Sequence, residues 1–218
     1  MKPRFAVLAF QLVAAVALAA FLAVPLRAQY GRPQGSQQGM PWENDRIRLA
    51  QLSIEKGATL PAAGNQVLIY LTADQNGAVP AEAVWQAAGA GAIENRGPAR
   101  LDALAIELKD VPGEAAGGTP LEALDAQYGV DVTTLIDNSR VLVTKERYAP
   151  TSYGGPLHFH TQDVLIVYLR GGYTWPVNGF WGTSRVRRGD VDIIPANTLH
   201  RLGNAGSDPL ELLVIVPR

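Results

Sequence analysis

GGPLHFHTQDVLIVYLRGG, residues 154–172, places two histidines one residue apart at the mouth of an apolar run. In extended chain, residues two apart face the same side, so His158 and His160 project together. The chain's remaining histidine, His200, lies in GDVDIIPANTLHRLGN (189–204), where Gly189, Pro195, His200 and Asn204 punctuate an otherwise apolar strand and turn. Imidazoles from two strands that meet across a small barrel would form a three-nitrogen facial site. Coordination positions would stay open there for water, substrate or dioxygen.

Around this stretch the chain reads as short β-rich runs divided by Gly, Pro and Asn: RIRLAQLSI, QVLIYLTA, LDALAIEL, RVLVTKERY, DVLIVYLR, DVDIIPA and LELLVIV. That pattern predicts an all-β sandwich or barrel. The Ala-rich AEAVWQAAGAGA (81–92) invites a helical reading, which its glycines and lack of caps weaken. The two halves also resemble each other. Glu43–Ile47 parallels Asp137–Val141, Val67–Leu71 parallels Leu165–Leu169, and Glu94–Gly97 with the run from Leu101 parallels Gly203–Gly206 with the run from Leu210. The offset drifts from 94 to 98 to 109 residues, as loop insertions in a duplicated unit would produce. The predicted organisation is two β units, 42–109 and 130–218, joined by a Gly/Pro/Ala-rich linker, 110–129, with one helical turn at Pro120–Gln127.

With 218 residues the chain is long enough for a substantial core. A net charge of −1, acids and bases intermixed, offers no field for nucleic acid or an anionic membrane, so neither is expected as a partner. The absence of cysteine removes disulfides, thiolate ligands and a cysteine nucleophile, so any metal must be held by nitrogen or oxygen. Lys2 and Arg4 precede a nearly unbroken apolar stretch from Phe5 to Leu26, followed by the Pro/Gly/Gln segment 29–41. This predicts a secretory signal, residues 1–28, cleaved after Ala28, and a periplasmic or secreted product. The alternative is an uncleaved membrane anchor, since about 20 apolar residues span a bilayer.

These motifs make residues 136–218 similar to a cupin domain. The second cupin motif, G-x₅-P-x-G-x₂-H-x₃-N, is met by Gly189, Pro195, His200 and Asn204, with Asn197 where glycine is usual. The first, G-x₅-H-x-H-x₃₋₄-E-x₆-G, is met by His158, His160 and Gly171. It departs at Ser152, where glycine leads, with glycines at 154 and 155 instead, and at Val164, where the family carries glutamate. The resemblance implies two cupin-type jelly-roll (double-stranded β-helix) barrels, the first degenerate. It also implies one divalent transition metal on His158, His160 and His200, with a relict site that no longer binds metal as the alternative. Without the acidic ligand, Mg²⁺ and Ca²⁺ are disfavoured and Fe, Ni, Cu or Zn remain open.

Three-histidine cupins include iron dioxygenases, so the resemblance implies a metal-dependent enzyme, an oxygenase or isomerase, on a small organic molecule. A non-catalytic small-molecule binding or sensory cupin is the alternative, and a homodimer is open. Candidates for the substrate pocket are Gln162, Val164 and Tyr168, which share the histidines' parity, and Trp175 and Trp181 in the aromatic hairpin GGYTWPVNGFWG. Asp163 has the opposite parity and is expected to point away. Arg185, Arg187 and Arg188 read as a solvated turn. In the first half the first-motif positions are Leu60 and Ala62, and the place of His200 falls near Gly91, leaving no ligand.

Overall fold

The computed structural model describes residues 42–61, 64–72, 83–110, 128–175 and 183–218, which belong to one compact unit. The expectations for the leader, the segment 29–41, the helical turn at 120–127 and Trp181 lie outside these residues. The described chain is all-β. Its first half contains β1 (Trp42–Glu43), β2 (Ile47–Ile54), β3 (Thr59–Leu60), β4 (Gln66–Tyr70), β5 (Ala83–Gln86), β6 (Ile93–Glu94) and β7 (Leu101–Leu108). The second contains β8 (Val130–Asp137), β9 (Val141–Tyr148), β10 (Val164–Tyr168), β11 (Gly172–Thr174), β12 (Ser184–Val186), β13 (Val191–Ile194) and β14 (Leu210–Pro217). The Ala-rich segment is strand β5 followed by a turn, because Val84 and Trp85 have cross-strand partners on β4 and the glycines come after them.

Each half forms a five-stranded antiparallel sheet, ordered β1-β2-β7-β4-β5 in the first and β8-β9-β14-β10-β13 in the second. The register repeats as well as the order. Ile47 pairs with Leu108 as Val141 pairs with Pro217, Val67 with Ile106 as Leu165 with Ile215, and Gln66 with Gln86 as Val164 with Ile194. The turn chemistry repeats too. The Asn44 side chain accepts the backbone N–H groups of Arg46 and Ile47 (2.9 and 2.8 Å), and Asn138 accepts those of Arg140 and Val141 (2.8 and 3.0 Å). Asn95 donates to the carbonyls of Ile54 and Ala99, and Asn204 to those of Ala149 and Asp208. The motif asparagine is therefore a structural clasp in both halves, closing a loop onto the strand before it.

Strand parity divides the core. Residues of one face of both sheets, among them Ile47, Val67, Ile69 and Ile106 from the first and Val143, Leu165, Val167, Leu213 and Ile215 from the second, form one buried cluster between the sheets. Burial of each such aliphatic side chain is worth about 1.5–3 kcal/mol, so this cluster dominates the join between the halves. The opposite faces line separate interiors, around Ile166, Tyr168, Leu212 and Ile194 in the second half and around Leu68, Leu101 and Ala105 in the first. Strand β10 is buried on both faces, which explains why DVLIVYLR reads as an apolar run without alternation.

Candidate metal centre

The three histidines converge at one end of the second interior. His158 and His200 pair as an isolated antiparallel bridge, each accepting the other's backbone N–H (2.9 and 2.8 Å). The His160 carbonyl accepts the N–H of Asn197 (2.6 Å), which holds the third ring against the same turn. The two neighbouring histidines thus lie outside any continuous strand, and strand β10 starts only at Val164. Asn197 has φ 59°, the left-handed conformation that asparagine tolerates better than most residues, so the exchange of the motif glycine is accommodated.

One ligand atom from each ring lies within 4.8 Å of the other two, and ring centroids are 4.5–5.3 Å apart. Nδ1 of His158 lies 3.1 Å from the Pro156 carbonyl, and Nδ1 of His200 lies 2.8 Å from that of Thr198. A carbonyl only accepts, so both Nδ1 atoms carry the proton and donate, which leaves the Nε2 lone pairs for a ligand bond. His200 is buried, and burial pushes its pKa down to about 4 against the hydrogen bond it donates to the Thr198 carbonyl, with His158 lowering it further. His160 is also lowered to about 4, by burial first and then by His158 and His200. Both are neutral at pH 6, as metal ligation requires.

These shifts fix the sign of a pH effect. Unfolded histidine takes up a proton near 6.5, whereas folded His160 and His200 resist until about 4, so the unfolded state binds more protons between those values. In chelator, the melting temperature is expected to be highest above pH 6.5 and to fall as the pH drops toward 4. A melting temperature that rises on acidification through that window would contradict the neutral, buried cluster.

The cavity the histidines enclose is about 20 Å³, and Glu146, Tyr148, Gly154, Val164, Ile166 and Ile194 also line it. About 10–15 Å³ holds one water, so the space between the rings takes an ion and a water. Three neutral imidazoles and a cavity of this size fit a divalent transition ion, whose nitrogen ligands lie about 2.0–2.1 Å away.

Among the described substrate-pocket candidates, Val164 lines this cavity; Gln162, Tyr168 and Trp175 do not. Residues 161–162 form a bend, so alternation does not carry past His160. Gln162 is buried and its Oε1 accepts from Arg46 Nη1 (2.6 Å), while Asp163 accepts from Asn44 Nδ2 (2.6 Å) and the N–H of Ala196 (2.8 Å). Gln162 therefore binds the first half, and Asp163 binds both the first half and the turn. Tyr168 is buried in the interior as its parity required, but its hydroxyl donates to Asp192 (2.8 Å). Trp175 stacks on Tyr153 (5.2 Å, 9°), whose ring also lies under the Arg201 guanidinium (4.9 Å). Arg185, Arg187 and Arg188 are exposed. In the first half, Leu60 pairs with Ile93 where His158 pairs with His200, so the His200 position corresponds to Ile93 rather than to the neighbourhood of Gly91.

Sequence reasoning missed Glu146. In VTKERY it sits between Lys145 and Arg147 and reads as part of a solvated charged run, yet it is only 5% exposed. Its parity with Tyr148 and Thr144 was the available signal.

A cupin-domain family model matches residues 144–216. No curated protein matches the sequence. Among solved structures, a salicylate 1,2-dioxygenase variant from Pseudoaminobacter salicylatoxidans is similar with a TM-score of 0.59, at 11% identity over 94% of this chain and 81% of that one. AerE from Microcystis aeruginosa gives 0.56, at 11% identity over 82% and 96%. A cupin 2 conserved barrel domain protein from Leptotrichia buccalis gives 0.52, at 15% identity over 85% and 93%. These are likenesses of fold, and each extends well beyond the matched segment. Residues 144–216 thus match the cupin domain, and the described chain has an all-β cupin fold.

Proposed function

We propose that the chain is an exported bicupin: a signal at 1–28, a degenerate barrel at 42–109, and a barrel at 130–218 that holds one divalent transition metal through His158, His160 and His200. The repeated strand order and register support the two-barrel reading. The observation that carries the metal reading is the convergence of three imidazoles, two of them with Nδ1 committed to backbone carbonyls. The function this geometry supports best is a metal-dependent enzyme on a small organic molecule, dioxygenase-like in class. A bound ion would supply Lewis acidity or oxygen activation, and the neutral histidines are pre-oriented for it.

One observation favours a second reading, a non-catalytic small-molecule-binding cupin. The metal cavity is narrow, whereas the first half carries cavities of about 210 and 140 Å³ lined by residues such as Leu68, Tyr70, Leu101 and by Leu52, Leu60, Ile93. Protein purified from the periplasm of a Gram-negative host tests both readings through its intact mass and metal content. The expected result is an N-terminus near Gln29 and one redox-active iron or copper per chain, abolished in His200→Ala with the fold retained. Retained Met1 in the membrane fraction would make the protein anchored. A metal-free chain with a co-purified organic ligand would favour the binding protein.

A further inference from the structure

We infer that Glu146 supplies the negative charge of the metal cavity, as a positioning residue that faces the ion across the space the three histidines enclose. The inference rests on the metal reading above and adds to it a residue that neither motif contains. Glu146 lines the cavity with His158, His160 and His200, and β9 carries it there. Both carboxylate oxygens are held: the Tyr148 hydroxyl donates to Oε2 (2.6 Å) and the Thr144 hydroxyl to Oε1 (3.3 Å). The ligand atoms that lie within 4.8 Å of one another are those of the three histidines, so the carboxylate stands outside direct ligation. From there it accepts a hydrogen bond from a water or a substrate hydroxyl carried by the ion.

The molecule contains its own control. Strands β2 and β9 occupy the same place in the two sheets with the same register, so Thr144, Glu146 and Tyr148 correspond to Ala50, Leu52 and Ile54. The half without histidines has no acid at this position and neither of its hydroxyl partners. The half with histidines has all three, on the interior face. A buried carboxylate is costly in a metal-free interior and is offset by a 2+ ion across the cavity. Val164 leaves the β10 position on the same cavity apolar, so β9 is the strand that brings the charge.

Calorimetric titration with Zn²⁺ alone, on the full mature chain, tests this. Glu146→Gln and Glu146→Leu, the latter being the residue of the equivalent position, are expected to weaken binding about 10- to 100-fold at unchanged stoichiometry, the range for residues that support a metal from behind its ligands. Glu146→Asp, which keeps the charge, is expected to stay within about threefold of the parent. The leucine variant keeps the test open if the glutamine variant fails to fold. Binding by either neutral variant as tight as the parent's, with His200→Ala still abolishing it, would overturn the role of Glu146 alone. A parent chain that binds no Zn²⁺ would overturn the metal reading and this inference together.

Discussion

Gly154→Ala is expected to destabilise the protein by about 3 kcal/mol and to lower its melting temperature by on the order of 10 °C. Gly154 has φ +61°, and a Cβ there would collide with the backbone carbonyl of Leu202 and the ring of Tyr148. Neither neighbour can give way cheaply. The carbonyl belongs to the turn after His200, and the Tyr148 hydroxyl is committed to Glu146. The left-handed backbone adds about 1 kcal/mol of strain for alanine, and forcing atoms into a packed interior adds about 1–3 kcal/mol. Thermal denaturation in chelator separates this effect from metal loss. An alanine variant that melts within about 2 °C of the parent would mean that the loop preceding the histidines is not held as described.

Val164→Glu should move metal affinity and metal-free stability in opposite directions. Val164 is 1% exposed and lines the cavity beside the three histidines. A carboxylate there adds an anionic ligand, which tightens binding most visibly for a harder ion such as Mn²⁺. Without the ion, the same group is buried near Glu146, a like charge, at a cost of several kcal/mol. Titration with Mn²⁺ and a melting curve in chelator read the two effects separately. Unchanged affinity would place the site elsewhere.

The fold was largely legible in the sequence because its strands are bounded by turn residues and its repeat preserves side-chain chemistry at matched places. The pairs Asn44/Asn138 and Asn95/Asn204 aligned by eye, and they make equivalent hydrogen bonds. Strands β5 and β8 were not: Ala83–Gln86 is short and embedded in alanine, and β8 is a polar edge strand bulged between Thr134 and Ile136. That the three histidines come together was legible because they are few and fit a two-part motif. Gln162 turns to Arg46 and not to the histidine cavity, because parity arguments stop where the chain bends after His160. Glu146 was hidden because flanking charges disguise a one-sided burial that only the partner strands reveal. Lys145 and Arg147 face the other way, toward Glu211.

The most direct test of the account is an anomalous difference map from crystals of the metal-loaded chain, recorded at the absorption edge of the bound ion. One peak per chain is predicted, about 2.0–2.2 Å from Nε2 of His158, His160 and His200, with none in the first half. A loaded crystal without that peak, or with its peak among other residues, would contradict the assignment.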